Sequence, residues 1–319
     1  MSARRWDRLA QDLAGVLDGP AVSRERPIGP DTTYRVGGAA RVGVTLAADA
    51  VADAVAVAVA EVVAAHRCDV LVVGKGSNML VADAGFDGVA VWLGAGYDWV
   101  EINGTHLRAG AAAGLPVLAR QSAAAGLTGF EWAVGVPGSL GGAVRMNAGG
   151  HGSDMAASLV HADVLDLRSG CIEHWTQERL ELGYRCSALA DHHLVLGAEV
   201  GLASGDAPSS QALIAEIVAW RRENQPGGQN AGSVFANPVG DSAGRIIEAA
   251  GLKGHRVGTA SVSDKHANFF IADRRGSADD LHALMVEVFA RVRAEFDLAL
   301  RPETRLVGFE AGPWAGQTG

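Results

Sequence analysis

Glycine constrains this chain more than any other residue type. There are 42 glycines in 319 residues, and they cluster between apolar runs without a fixed period. A glycine is required where φ is positive, or where backbone approaches another backbone or a ligand too closely to admit a Cβ. Two clusters dominate. The first, Gly74-Lys75-Gly76-Ser77-Asn78, follows an apolar, β-branched run at 69–73. Its N–H groups suit a nest around a diphosphate, with Ser77 and Asn78 adding side-chain hydrogen bonds. A purely structural turn explains the same five residues equally well. The dinucleotide fingerprint fails, because Met79 stands where its third glycine belongs and no helix clearly follows. The Walker A spacing is also absent. The second cluster, 135–152, carries Gly135, Pro137, Gly138, Ser139, Gly142 and Asn147. Its glycines recur too densely for one loop, and fit backbone approaching a large flat ring and its phosphates.

Around these clusters the chain reads as alternating helices and short strands. A helix is expected within 1–18, then a Pro/Gly-rich linker at 26–30 and a strand-like stretch at 34–44. An Ala/Val-rich amphipathic helix follows in 47–65, and strands at 69–73 and 89–93 flank the first glycine cluster. Residues 107–202 mix helical and strand-like pieces around the second cluster. A polar segment, 203–210, reads as a linker into a helix at 211–222 and a loop at 223–229. Strand, helix, strand and helix come next, then a strand-like stretch at 298–309. No repeat of solenoid period is present.

Composition narrows the function classes. A net charge of -9, with no basic stripe, disfavours nucleic acid as a partner. The apolar stretch 47–65 is interrupted by Asp49, Asp53 and Glu61, so membrane insertion is not expected. Residues 1–18 carry Asp7 and Asp12 and lack the apolar core of a signal peptide. Cys68, Cys171 and Cys186 show no CxxC spacing, which argues against a disulfide framework or a zinc site of cysteines and fits a reducing cytoplasm.

Three polar groups outside the clusters have chemical potential. Ser233 lies in Asn230-Ala-Gly-Ser-Val-Phe-Ala-Asn-Pro238, flanked by Gly232 and Phe235. A strand there would either merely pack the serine or hold its hydroxyl rigidly enough to give up a proton at a defined position. Arg185 follows Tyr184, and Glu303 follows Pro302; each also serves simply as surface charge. A competing motif is Gly240-Asp-Ser-Ala-Gly244, which satisfies the nucleophile-elbow pattern of serine hydrolases, with Asp264 and His266 downstream. Asn237-Pro238 is a poor strand entry to such an elbow. Asp241 or Ser242 instead fits the N-cap of a helix through Ala250, closed by Gly251.

Taken in order, these segments resemble the UDP-N-acetylenolpyruvoylglucosamine reductase family over about residues 27–308. The matching stretches are Thr33-Tyr34-Arg35-Val36-Gly37-Gly38, the 74–78 loop, the 135–152 segment, Tyr184-Arg185, Gly232-Ser-Val-Phe-Ala-Asn-Pro238 and Pro302-Glu303. Ala243–Gly254 and Ser263-Asp-Lys-His-Ala-Asn-Phe269 match as well. The resemblance implies an α+β chain: a two-lobed FAD-binding domain of the vanillyl-alcohol-oxidase (PCMH) type, then an α+β substrate-binding domain. Lobes are expected at 1–95 and 96–205, and the substrate domain at 206–319. The implied activity is reduction of UDP-N-acetylglucosamine enolpyruvate to UDP-N-acetylmuramate in peptidoglycan precursor synthesis, in the cytoplasm. By the same resemblance FAD is expected to be non-covalent, with NADPH as the co-substrate and source of hydride. The resemblance assigns catalysis to Arg185, Ser233 and Glu303. It assigns cofactor binding to Arg35, to residues 74–78, and to Gly135, Pro137, Gly138, Ser139, Gly142 and Asn147. Asn237, Lys253 and Arg305 become substrate contacts, with no metal. His151 stands where the family often has tyrosine, and Arg221 or Arg222 where it often has lysine. Two other readings differ in class: a flavin oxidase of the same superfamily, tethered through His151, and a flavin or nucleotide binder without catalysis.

Overall fold

The computed structural model describes residues 3–17, 21–46 and 52–314. The expected helical starts at residues 1–2 and 47–51, and the end of the first helix at Asp18, lie outside the described residues. The chain forms two compact units that are not consecutive in sequence. The first joins Met1–Arg26, Ala40–Lys75 and Gly88–Trp220; the second joins Pro27–Ala39, Gly76–Asp87 and Arg221–Gly319. Both expected lobe boundaries, after 95 and after 205, therefore fall inside the first unit.

In the first unit, a four-stranded sheet has the order Val22–Pro27, Ala39–Leu46, Phe86–Leu93, Val70–Val73. Its last two strands run parallel, pairing Val70 with Val89 and Val73 with Trp92. Val42, Val44 and Leu46 alternate into the core, as period-two patterning requires. Helix Ala52–His66 covers this sheet with Ala56, Val59, Ala60 and Val63, a stripe at helical spacing. A second, five-stranded sheet has the order Ile172–Thr176, Leu159–Asp166, His193–Gly201, His106–Gly110, Val100–Asn103. Each of its neighbouring pairs is antiparallel. Leu115–Ala124 and Ala207–Asn224 pack into a core that includes Phe130, Trp132, Ile214 and Ile217.

The expected linker 203–210 is not a linker. Ala203–Ser204 pairs with Leu127–Thr128, and the following helix already begins at Ala207. The Asp206 carboxylate accepts from the Ser209 N–H at 3.0 Å, and Pro208 is tolerated in a first helical turn. Capping chemistry was hidden there in a segment that reads as merely polar.

The second unit centres on helix Ala278–Phe296, whose Leu281, Leu284, Met285, Val288 and Val292 are buried. Against it lie helix Ala243–Ala249 and a small antiparallel sheet, Arg256–Val257, Ala260–Val262 and Phe270–Ala272. Met79–Val81, directly after the first glycine cluster, pairs in parallel with Arg305–Val307. Three strand expectations need correction. Residues 34–38 are not extended, because Arg35 (φ 55) and Gly37 (φ 111) turn the backbone, so the strand starts at Ala39. The 230–238 stretch forms no strand; its ladder pairings are isolated bridges, Ser233 to Phe269 and Phe235 to Pro302. Of 298–309, only Arg305–Val307 forms a strand. Among the described residues no helix is long and apolar enough to cross a membrane.

Candidate active site

Gly74 and Lys75, the start of the first glycine cluster, lie in the first unit together with the second cluster. Gly74 is exposed at the end of the Val70–Val73 strand, and a Cβ placed on it would lie 2.7 Å from Ser139 Oγ. Ser139 is buried and precedes the short helix Leu140–Met146, yet its hydroxyl caps no N–H of that helix. The backbone fixes it: Gly114 bridges Ser139, and Leu115 N–H donates to Gly138 at 3.0 Å. Lys75, Pro137 and Gly142 are exposed along the same segments, and a Cβ on Gly150 or Gly152 would meet nothing within 4 Å. Exposed, Cβ-free backbone of this kind fits the close approach of a flavin and its phosphates. His151, at φ 51, lies against Gly135 and meets Trp220 edge-on at 5.2 Å between ring centroids.

Asn147 behaves differently from the flavin contact expected of it. It adopts the left-handed conformation (φ 39) that ends the 140–146 helix, and its side chain is engaged by the protein itself. Its amide donates to Gly183 O at 2.9 Å, and its oxygen accepts from Ala156 N–H at 2.9 Å. Asn147 thereby holds the turn that carries Arg185. Gly183 and Cys186 exchange backbone hydrogen bonds around that turn, with Arg185 at φ 58 inside it. The guanidinium is half-buried, donates to Gly149 O at 2.9 Å and lies 5.1 Å above the Tyr184 ring. A non-glycine residue at positive φ costs free energy, so the surrounding bonds must hold it there.

The second unit gathers Asn78, Ser233 and Glu303. Asn78 Nδ2 donates to Glu303 O at 3.1 Å, and Arg305 N–H donates to Asn78 O at 3.1 Å. Glu303 N–H in turn donates to Val234 O at 2.8 Å, beside Ser233. Ser233 is held on its other side by the bridge to Phe269. Gly76, expected to be glycine for a diphosphate, has a nearer reason. At φ 59 its Cβ would stand 2.6 Å from both Asp31 O and Thr32 Cα, so the protein's own backbone demands the glycine. Arg35 is exposed, with its N–H bonded to Thr32 Oγ1 at 3.1 Å.

Sequence reasoning missed Asn268, which is 1% exposed. Its Oδ1 accepts from Phe235 N–H at 3.0 Å, its Nδ2 donates to Phe235 O at 2.8 Å, and its backbone carbonyl accepts from Val234 N–H at 2.9 Å. This residue supplies the ladder that a full strand would have given the Ser233 segment. The asparagine within Ser263–Phe269 was the available signal. Tyr34 is likewise enclosed, and burial pushes its phenol well above the ordinary range.

The remaining candidates are placed as follows. Asn237 is exposed and accepts from Ala243 N–H at 3.1 Å. Lys253 pairs with Glu248 at 2.6 Å. Arg221 donates to Gln225 at 2.7 Å and is the more enclosed of the two adjacent arginines. The elbow motif resolves as a helix start: Ser242 Oγ accepts from Arg245 N–H at 3.3 Å, and Gly251 (φ 68) follows the helix end. Arg245 holds the Asp241 carboxyl down at about 2. No strand enters Gly240–Gly244, which excludes the strained strand-to-helix turn of a serine hydrolase.

Comparison with known proteins identifies the family and the fold. Residues 224–307 match the family model for the UDP-N-acetylenolpyruvoylglucosamine reductase C-terminal domain, and residues 47–175 match an FAD-binding domain. The reductase of Rubrobacter xylanophilus is 40% identical over 91% of this chain and 96% of its own. That of Bacillus subtilis is 36% identical over 95% of this chain and 99% of its own. The crystal structure of the reductase from Thermus caldophilus superposes with a TM-score of 0.77 at 32% identity, covering 90% of this chain and 98% of that one. A 4-ethylphenol oxidase from Gulosibacter chungangensis shares the fold alone, with a TM-score of 0.50 at 12% identity, over 64% of this chain and 44% of that one. Similarity of this extent, over both the flavin-binding and the C-terminal domains, shows that the chain belongs to the UDP-N-acetylenolpyruvoylglucosamine reductase family.

Proposed function

We propose that this chain is an FAD-dependent oxidoreductase that reduces UDP-N-acetylglucosamine enolpyruvate to UDP-N-acetylmuramate, with NADPH as the hydride source. The observation that carries the reading is the backbone link between the Ser233 segment and Glu303, made by the 2.8 Å bond from Glu303 N–H to Val234 O. It ties the proton donor and the acidic residue of the proposed chemistry to one rigid element. FAD, when bound, supplies hydride to the distal alkene carbon of the enolpyruvyl group.

The protein's own residues handle the charge and the proton. Negative charge develops on the substrate next to its carboxylate, and a fixed cationic donor aimed there lowers the barrier. Arg185, held by the 183–186 turn and by Gly149, fills that role. Ser233 then gives its hydroxyl proton to the adjacent carbon, while Glu303 supports the enol form. Asn237, Lys253 and Arg305 offer amide and cationic donors suited to a diphosphate and a carboxylate. Around the flavin, Arg35, residues 74–78, Gly135, Pro137, Gly138, Ser139, Gly142 and Asn147 form the binding set, with Asn147 acting through the turn it braces. In this reading residues 1–95 and 96–205 carry the flavin and 206–319 carry the substrate. The setting is peptidoglycan precursor synthesis in the cytoplasm.

Anaerobic spectroscopy of the purified, FAD-loaded protein tests the proposal. NADPH should bleach the flavin, and the enolpyruvyl substrate should restore its colour with formation of the lactyl ether. Bleaching without recolouring by that substrate would assign the chain to a different flavin reduction.

A further inference from the structure

The outward part of the five-stranded sheet carries a cluster with no place in the chemistry above. His161 and Asp163 lie two residues apart on the Leu159–Asp166 strand, so they project from one face. Asp163 pairs directly across the ladder with His174 on the edge strand Ile172–Thr176. One donor atom from each of the three lies within 4.8 Å of the others. The rings of His161 and His174 are 3.7 Å apart between centroids, and His174 Nδ1 lies 3.0 Å from Asp163 Oδ1. Among the described residues the ring nitrogens of His161 make no hydrogen bond, although the residue is half-buried.

We propose that His161, Asp163 and His174 form a binding site for one divalent transition-metal ion of the zinc class. Two imidazoles and one carboxylate are the donor types such an ion takes, with water completing the coordination. Metal–donor bonds of about 2.0–2.1 Å in a tetrahedral shell place the donors roughly 3.4 Å apart. Donors already within 4.8 Å need side-chain rotation on fixed strands to reach that spacing. The charges facing the site favour a cation only in part. Arg108 lies 4.0 Å from Asp163 and 3.6 Å from Glu199, while Glu199 also holds His106 at 2.7 Å. Exposure to solvent screens the Arg108 charge. A second grouping, Asp166, His192 and His193, is the poorer candidate. Its carboxylate already accepts from Arg168 N–H at 2.8 Å and Ser169 Oγ at 3.1 Å, and His193 Nδ1 accepts from Ala190 N–H at 2.9 Å.

Bound metal would staple the edge strand to its neighbour, and binding to the folded state alone raises the melting temperature. The test is calorimetric titration of chelator-treated, FAD-loaded protein with zinc chloride, together with thermal unfolding. One saturable equivalent is expected, with a rise in melting temperature. His161→Ala and His174→Ala should each abolish both signals, with normal flavin content and circular dichroism showing that the fold is intact. His192→Ala should keep them. Absence of a saturable equivalent in the wild-type protein, or its survival in either of the first two variants, overturns the proposal.

Discussion

Ser233 follows Gly232, at φ 78, and precedes the Val234–Phe235 pair clamped by Asn268. This placement fixes the backbone that carries the hydroxyl without enclosing it in a sheet. Ser233→Ala should leave flavin reduction by NADPH near wild type and slow reoxidation by the enolpyruvyl substrate about 10²–10⁴-fold, the usual span for a general acid. Stopped-flow measurement of both half-reactions decides; reoxidation within a few-fold of wild type would remove Ser233 from proton transfer. Asn268→Ala exposes the other half of the design. It leaves the Phe235 N–H and carbonyl without their partner, at a cost of about 1–3 kcal/mol for each buried group. A lowered melting temperature is expected, with a reoxidation defect larger than any defect in flavin reduction. Equal loss in both half-reactions would mean that Asn268 merely holds the fold. Gly76 teaches a related lesson. Its glycine was legible in the sequence, but the reason for it was not, because the clash with Asp31 and Thr32 lies more than forty positions away in the chain.

At the scale of elements, the Ala207–Asn224 helix is locked to the Leu127–Thr128 strand through Glu131. The Glu131 carboxylate accepts from Thr128 Oγ1 at 2.7 Å, Ser210 Oγ at 2.6 Å and Gly129 N–H at 2.8 Å. Burial alone would raise this carboxyl, but the hydroxyls of Ser210 and Thr128 and the backbone N–H groups outweigh it, and the net shift is downward from 4.5. A depressed folded-state value means that the ionised group stabilises the fold above about pH 4.5, and that this contribution fades as pH falls through the folded value. Glu131→Gln should therefore lower the melting temperature clearly at pH 7 and much less in acid. Parallel melting curves across that range check the sign; a constant gap would show that charge plays no part. The Leu140–Met146 helix offers a cleaner probe of flavin binding than Gly76 does. A Cβ on Gly142 meets only Ser139 Oγ, at 3.5 Å, so Gly142→Val should fold. Its bulk falls on exposed backbone assigned to the flavin, and the variant should purify with a reduced flavin-to-protein absorbance ratio. Full flavin content would take this helix out of the site.

The whole molecule is expected to hold FAD without a covalent bond. Heat or acid denaturation should release the flavin completely into the supernatant, as measured by its absorbance. Colour retained in the precipitate would point to a tether, with His151 as the candidate within the second glycine cluster. Local signals in the sequence determined much of this protein. The Ala/Val-rich stretch within 47–65 marked a helix, the 69–73 run marked a strand, and Ser242 with Gly251 marked both ends of another helix. Each depends on neighbours within a few residues, where periodicity and capping act. The family resemblance singled out Arg185, Ser233 and Glu303 as candidates, and their roles belong to the proposed function. Tertiary structure alone decided what depends on distant pairing. It grouped Pro27–Ala39 and Gly76–Asp87 with the C-terminal residues, joined Met79–Val81 to Arg305–Val307, and replaced the expected Ser233 strand with bridges braced by Asn268. Three-residue strands such as these carry too little pattern of their own. They are extended because a partner more than two hundred positions away satisfies their backbone hydrogen bonds, and no local stretch of sequence contains that partner.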